Sequence, residues 1–159
     1  VKTDFIRILH EIAHDPPDLV LIEATGVAEP RDLECFLNEP DLQGRFAVKA
    51  TVCLVDACNF PKVAPNMRAA RAQVQWADGL VITKADLVSA GAVDQLKEVL
   101  AEMNPRAPQI EANHGQIPLT WLDALIHAGA DSRGPLEAPP DPLFSLSVEL
   151  GHGCQPRCL

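Results

Sequence analysis

The sequence predicts an α/β protein, with a doubly wound, mainly parallel sheet flanked by helices. Three observations support this prediction. Helical and strand patterns alternate along the chain, as they do in α/β domains. The strand-like segments are continuous apolar runs, which is typical of parallel strands buried on both faces. Two of these runs lead straight into charged loops, as strands do at the ligand-binding edge of an open α/β sheet.

The spacing of apolar residues places the individual elements. Helices are predicted at 5–13, 30–37, 69–77, 92–103 and 119–128, and strands at 19–22, 48–55, 80–83, 109–112 and 144–150. The clearest helix is 92–103, where one apolar stripe is formed by Val93, Leu96, Val99, Leu100 and Met103. Pro16 and Pro17 end the first helix, and Pro30 opens the second at its first turn.

Composition and charge exclude several classes of protein. Hydrophobic residues make up 47% of the 159 residues and charged residues 22%, which predicts a folded globular domain. The formal net charge of -9 repels phosphate backbones, so we expect no nucleic-acid partner. The sequence holds neither an apolar run of about 20 residues nor a secretory signal pattern, so no membrane partner is expected. Five cysteines, an odd number, fit reduced thiols and a cytoplasmic location.

The first motif is LVLIEATGVAEP, residues 19–30. It has the layout of a Walker B segment, in which a buried strand delivers an acidic residue to its carboxyl end. Glu23 would orient a water, free or magnesium-bound, beside a terminal phosphate. Gly26 would let the backbone turn close to that phosphate without a Cβ atom. The alternative is structural: Glu23 ends a strand, and Thr25 with Gly26 forms a turn.

The second motif is LVITKAD, residues 80–86, in which a buried strand enters a [N/T]-K-x-D loop. A carboxylate at Asp86 can accept hydrogen bonds from N1 and the exocyclic amine of guanine, a donor pair that adenine lacks. The Lys84 stem can lie along the purine face while its charge stays solvated. Thr83 would tie the loop to its neighbours. The alternative is a strand end followed by two solvated charges.

Taken together, EATGVAEP, VDACNF, Gln73 followed by Ala77 and Asp78, and TKADL resemble the CobW-like P-loop GTPases. These are relatives of the GTPases that insert nickel into hydrogenase and urease. The resemblance covers roughly residues 1–125. It implies a GTP-hydrolysing metallochaperone that uses magnesium and delivers a metal such as zinc or cobalt, or a metal cofactor, to a client metalloprotein. A link to cobalamin biosynthesis and a homo-oligomeric state are also implied.

The resemblance assigns roles to six residues. Glu23 is the catalytic position, and the GTP-binding positions are Gly26, Thr83, Lys84, Asp86 and Asn113. Thr83 stands where Asn is commoner in the family. Asn113 follows the predicted strand 109–112, where such proteins often place a second base or ribose contact.

Two family motifs are absent from the sequence: the phosphate-binding G-x-x-x-x-G-K-[ST] loop and a Cys-x-Cys-Cys metal motif. Both are expected upstream of Val1, and the phosphate-loop strand would then lie beside the Glu23 strand. Residues 1–133 are therefore expected to be the C-terminal part of a GTPase domain, inactive alone. The rival prediction is a nucleotide-free module that keeps the fold for protein interaction or metal binding.

The C-terminal region carries one more candidate site. Residues 134–142 are rich in proline and are expected to form a linker or surface loop, followed by a last strand and tail at 143–159. His152, Cys154 and Cys158 supply imidazole and thiolate groups that suit zinc. The alternative is a flexible tail, because a structural zinc site needs a fourth ligand.

Overall fold

A computed structural model describes residues 2–24, 35–37, 39–112 and 114–129. Its elements, in chain order, are α1 (Lys2–His14), β1 (Val52–Asp56), α2 (Phe60–Val63), α3 (Arg68–Trp76), β2 (Gly79–Thr83), a 3-10 turn (Ala85–Leu87), α4 (Ala90–Met103), β3 (Gln109–Glu111) and α5 (Leu119–Ala124). None of the helices described here combines the length and the apolar character needed to cross a membrane.

The three strands form one parallel sheet in the order β1-β2-β3, which confirms the predicted α/β class. In its register Val52 lies opposite Gly79 and Asp56 opposite Thr83. The central strand β2 is buried from Gly79 to Ile82, which explains why its sequence is uniformly apolar. Helices connect successive parallel strands, as crossover connections require.

The core lies where α3 and α4 pack against the sheet. Val74, Leu80, Ile82 and Leu100 are each fully buried within one cluster. The predicted stripe on α4 is confirmed for Val93, Leu96 and Leu100, which are buried, and for Met103, which packs against the core. It is wrong for Val99, which is 47% exposed and lies at the edge of the buried face. The Ser89 hydroxyl caps this helix by accepting a hydrogen bond from the Ala92 N–H.

The buried Asn104 joins the two helices of this core. It follows α4 and is only 3% exposed. Its side-chain nitrogen donates to the carbonyl oxygens of Val74, at 2.8 Å, and Ala77, at 2.9 Å, at the end of α3. The side chain of one helix C-cap thus satisfies carbonyls that the neighbouring helix leaves unpaired.

The prediction of a buried strand at 19–22 is wrong. These residues have no regular secondary structure, and Leu19, Leu21 and Ile22 are 64%, 88% and 43% exposed. A strand requires a hydrogen-bonding neighbour, and no described strand pairs with this segment. On the outer strand of the described sheet, Leu54 is likewise 70% exposed. The apolar composition of a segment shows that it is hydrophobic, but it does not show whether a neighbouring strand is present to pair with it.

The last predicted helix is four residues too long. It ends at Ala124, and Leu125 is already extended with φ −68° and ψ 138°. The Lys49 ammonium donates to the carbonyl oxygens of Asp123, at 3.0 Å, and Leu125, at 3.2 Å. The Leu125 side chain is 2% exposed. Tertiary contacts therefore replace the helical hydrogen bonds that residues 125–128 would otherwise make.

Strand β1 starts later than predicted, and only residues 35–37 of the helix predicted at 30–37 are described. Strand β1 begins at Val52 and not at residue 48, because the Thr51 N–H donates to the Asp78 carboxylate at 2.7 Å. Of the predicted helix 30–37, residues 35–37 are helical, and the Phe36 ring lies 5.8 Å from that of Phe5. The predicted linker at 134–142 and the strand at 144–150 lie outside the described residues.

Candidate functional site

The carboxyl ends of β1 and β2 meet at one edge of the sheet. Parallel pairing puts Asp56 opposite Thr83, so the two loops that follow start side by side. The Ala57 N–H donates to the Thr83 carbonyl at 3.0 Å, and the Thr83 hydroxyl donates to the Val55 carbonyl at 3.3 Å. Thr83 thus ties the second loop to the first strand, as predicted for a residue that anchors the loop. This edge is where open α/β sheets bind ligands.

Asp56 organises the turn that follows β1. Its Oδ1 atom accepts hydrogen bonds from the Cys58 N–H at 2.9 Å and the Asn59 N–H at 3.1 Å. Its Oδ2 atom accepts a third from the Asn59 side-chain amide at 2.9 Å. An aspartate that accepts from the backbone two and three residues on forms an Asx turn, which holds the carboxylate in one orientation.

Lys84 is joined to this carboxylate from the neighbouring loop. Its Nζ atom lies 2.7 Å from Asp56 Oδ2. The hydrogen bond from Lys84 is the largest cause that lowers the pKa of Asp56 from 3.8 to about 2, and the contacts from Asn59 and Cys58 lower it further. The same bond raises the pKa of Lys84. Both groups are therefore charged over the whole physiological pH range.

The backbone of Lys84 adopts the left-handed conformation, with φ 57° and ψ 28°. For a residue with a Cβ atom this conformation costs about 1–2 kcal/mol. Non-glycine residues held in this region are concentrated at binding sites and switch regions. The turn redirects the chain at the end of β2, and Asp86 follows two residues later in the 3-10 turn.

Asp86 lines a cleft of about 470 Å³. The cleft lies between the 3-10 turn, the start of α4 and the end of β3, and Glu111 and Ala112 form its other wall. The Asp86 side chain is exposed and makes no hydrogen bond or ion pair with the described part of the chain. Its carboxylate oxygens are therefore available to a ligand that presents two adjacent donors.

The structure brings three of the predicted site residues to one edge of the sheet: Thr83, Lys84 and Asp86. Glu23 is exposed, and its carboxylate has no partner among the residues described. The other predicted positions lie outside the described residues: Gly26, Asn113, His152, Cys154 and Cys158. Their predicted roles stay predictions.

The described cysteines are free thiols. Cys53 is half-buried on β1 and packs against the core, as expected of a small hydrophobic residue, and burial raises its pKa to about 11. Within the ranges that the structure describes, no three His, Cys, Asp or Glu side chains are grouped so as to hold a metal ion.

Two organising residues were given no role from the sequence. Asp56 directly follows the predicted strand 48–55, and the spacing D-x-x-N after a strand is typical of an Asx turn. Asp78 is 7% exposed and binds Thr51, His127 and Ala128 from separate segments. The sequence signal for Asp78 is its position immediately before a buried strand. Buried charges are nearly always paired, so a charge at this position indicates a residue with bonding partners.

An open parallel sheet with a tethered lysine at its carboxyl edge has the arrangement of a nucleotide-binding α/β domain. Beside a cleft at that edge lies a carboxylate that has no partner among the described residues. The chain belongs to the CobW/HypB/UreG family, because the model of that family's nucleotide-binding domain matches residues 1–111. The predicted family is thereby confirmed.

Relatives in two kingdoms support this assignment. Zinc chaperone YjiA of Escherichia coli (strain K12) is 35% identical over 106 residues, covering 66% of this chain and 33% of that protein. Zinc-regulated GTPase metalloprotein activator 1 of Schizosaccharomyces pombe is 26% identical over 121 residues, covering 74% and 29%. The crystal structure of Zn(II)-bound YjiA GTPase from E. coli matches with a TM-score of 0.60 at 28% identity, covering 90% of this chain and 43% of that one. The chain therefore spans less than half the length of these relatives.

Proposed function

We propose that the protein containing this chain is a GTP-binding and GTP-hydrolysing metallochaperone. In this proposal, hydrolysis is coupled to the delivery of a metal or metal cofactor to a client metalloprotein. The chain contributes the base-specificity loop and the Walker B carboxylate. One observation carries the proposal: Asp86, which has no partner in the described part of the chain, lines a cleft at the carboxyl edge of a parallel sheet in a T-K-x-D loop.

The chemistry of Asp86 supports guanine as the base. An ionised carboxylate only accepts hydrogen bonds, and guanine presents two donors side by side, at N1 and the exocyclic amine. Adenine presents an acceptor at N1, which would face the carboxylate oxygen without a proton between them. Leaving a polar group of the site unpaired costs more binding free energy than losing an apolar contact. A single carboxylate can therefore exclude ATP.

Glu23 is proposed to act at the other end of the nucleotide. Phosphoryl transfer to water depends mainly on positioning and on charge stabilisation, so a carboxylate contributes by orienting the attacking water. The Glu23 side chain is exposed and has no partner in the described part of the chain, so its oxygens can take this role. A magnesium ion, when bound, would neutralise charge on the phosphates, and carboxylate or water oxygens are the ligands it prefers.

Zinc is the proposed cargo. The matched relatives from E. coli and Sinorhizobium are named zinc chaperones, and the E. coli structure contains bound Zn(II). Cobalt delivery and a role in cobalamin biosynthesis, which the resemblance also implies, have no such support. A cytoplasmic location is proposed because the carrier must meet its client where the thiols are reduced.

The test is nucleotide binding by the full-length protein. Labelled GTP would be titrated with magnesium, and unlabelled GTP, GDP and ATP would be added as competitors. We expect GTP and GDP to displace the label and ATP to leave it bound. A folded full-length protein that binds none of these nucleotides would contradict the proposal and favour the nucleotide-free interaction module.

A further inference from the structure

The Asp56–Lys84 pair links the ends of two strands through a contact made entirely within the protein. Each strand places one of the two residues, since Asp56 closes β1 and Lys84 follows β2 directly. Their charged atoms are 2.7 Å apart, yet the Lys84 side chain remains 54% exposed. The ammonium is thus tethered while much of the aliphatic stem stays open to solvent and to a ligand.

The partner in this tether is itself immobilised. The hydrogen bonds from Cys58 and Asn59 hold Asp56, and its side chain is 26% exposed. With three such contacts and the lysine, the carboxylate is already occupied. Asp86 has the opposite character, because its oxygens have no partner in the described part of the chain. One carboxylate at this edge serves the protein and the other is available to a ligand.

The backbone of Lys84 adds a second constraint. The backbone at φ 57° fixes the direction in which the side chain leaves the main chain, and the ion pair with Asp56 fixes its far end. A lysine held at both ends has lost rotamer freedom, and lysine has more of it to lose than most residues. When that freedom is lost in the free protein, ligand binding does not have to remove it. A preordered stem next to the base-specificity loop therefore improves affinity for any purine nucleotide seated there.

We propose that Asp56 is a positioning residue for the nucleotide base, which holds the Lys84 stem in the orientation that packs on the purine. The inference rests on the proposed function, because it presumes a guanine nucleotide in this site. Asp56 does not touch the nucleotide and acts only through Lys84. Its effect is accordingly on affinity for the base, and it is the same for GTP and GDP.

A double-mutant cycle on the full-length protein tests this role. Asp56→Asn keeps an oxygen for the Cys58 and Asn59 N–H groups but removes the charge that binds the lysine. Lys84→Met keeps an apolar stem and removes the ammonium. We expect Asp56→Asn to raise the Kd of both GTP and GDP about fivefold, the upper range for a partly exposed ion pair. In the Lys84→Met background, the same substitution should have no further effect.

The matched control is Glu11→Gln, which breaks the exposed Arg7–Glu11 pair on α1 and should leave both Kd values unchanged. Unchanged affinity in Asp56→Asn, or effects of the two substitutions that simply multiply, would overturn the inference. A merely structural role predicts such multiplication, because lost stability does not depend on the ammonium. If Asp56→Asn does not fold, Asp56→Glu, which restores the charge on a longer arm, is carried through the same cycle.

The two failures are distinguishable. A wild-type protein that binds no guanine nucleotide contradicts the proposed function itself. A wild-type protein that binds GTP, with Asp56→Asn binding it equally well, contradicts only the role of Asp56.

Discussion

The Nδ1 atom of His127 lies 2.8 Å from Oδ2 of Asp78, a carboxylate whose side chain is 1% exposed. The same carboxylate accepts hydrogen bonds from the Thr51 N–H at 2.7 Å and the Ala128 N–H at 3.0 Å. It thereby joins the entry to β1, the entry to β2 and the segment after α5. This junction lies at the amino edge of the sheet, opposite the candidate nucleotide site, and holds the C-terminal described segment against the domain.

Replacing Asp78 should destabilise the fold strongly. Asp78→Ala removes a buried carboxylate that accepts from two partly buried N–H groups and contacts His127. We expect the free energy of unfolding to fall by about 3 kcal/mol. Urea denaturation followed by circular dichroism measures the change. Asp123→Ala, an exposed aspartate on α5, is the control and should shift stability by less than about 0.5 kcal/mol. Equal effects of the two substitutions would refute the importance of the junction.

Gly79 is required for the packing of α5. A Cβ atom at this position would lie 2.7 Å from Trp121 Cη2 and 2.8 Å from Leu125 Cδ1. Gly79→Ala should therefore lower the free energy of unfolding by about 1–3 kcal/mol through overpacking. Gly91→Ala on α4 meets no atom within 4 Å and should be neutral or stabilising by about 0.5–1 kcal/mol. Thermal melts of the two variants should thus shift in different directions, and a matching loss in both would argue against the steric account.

The stability of the fold should depend on the side-chain amide of Asn104. Asn104→Ala removes a buried amide that satisfies the carbonyls of Val74 and Ala77, so we expect a loss of about 2 kcal/mol. Chemical denaturation provides the measurement. Asn66→Ala, on an exposed turn, serves as the control and should stay within about 0.5 kcal/mol of wild type. A neutral Asn104→Ala would mean that water satisfies these carbonyls equally well.

Asp86→Asn should change base preference in the full-length protein. The Asn side-chain amide donates a hydrogen bond at the place where the Asp carboxylate accepted one. This donor suits the second carbonyl group of xanthine, which accepts, and disfavours the exocyclic amine of guanine, which donates. We expect GTP affinity to fall by about tenfold or more and xanthosine triphosphate to bind better than GTP. Competition titrations with both nucleotides measure the switch. GTP preference that survives the substitution would remove Asp86 from the base site.

The Asp56–Lys84 pair should make stability depend on pH in the acid range. The pKa of Asp56 is lowered to about 2 in the folded protein, so its contribution is complete above the unfolded value of 3.8 and is lost as the pH falls towards 2. The stability difference between wild type and Asp56→Asn should therefore be largest above about pH 5 and vanish near pH 2. Urea denaturation at several pH values measures it. In the Lys84→Met background, the pH-dependent part of this stability difference should be smaller. If it is unchanged, contacts other than Lys84 lower the pKa of Asp56.

How much could be predicted from the sequence differs between elements for physical reasons. Strand β2 and helix α4 were predicted to within two residues, because a continuous apolar run marks the buried strand and a helical spacing of apolar residues marks the half-buried helix. The segment 19–22 has the same apolar character as β2 but no strand to pair with among those described. The end of α5 depends on Lys49, a residue more than 70 positions earlier in the chain. No local pattern contains such information.

The sequence by itself determined the class of fold, the family and the chemical nature of the T-K-x-D loop, because apolar runs and motif residues are local properties of the chain. Only the tertiary structure decided how the loops cooperate. Parallel pairing of β1 with β2 places Asp56 beside Lys84, 28 residues away, and Asp86 lines the cleft without a partner in the described ranges. The packing of α5 on Gly79 could not be predicted from the sequence either. A glycine that is required for a close approach cannot be distinguished from other glycines until the residues packed against it are known.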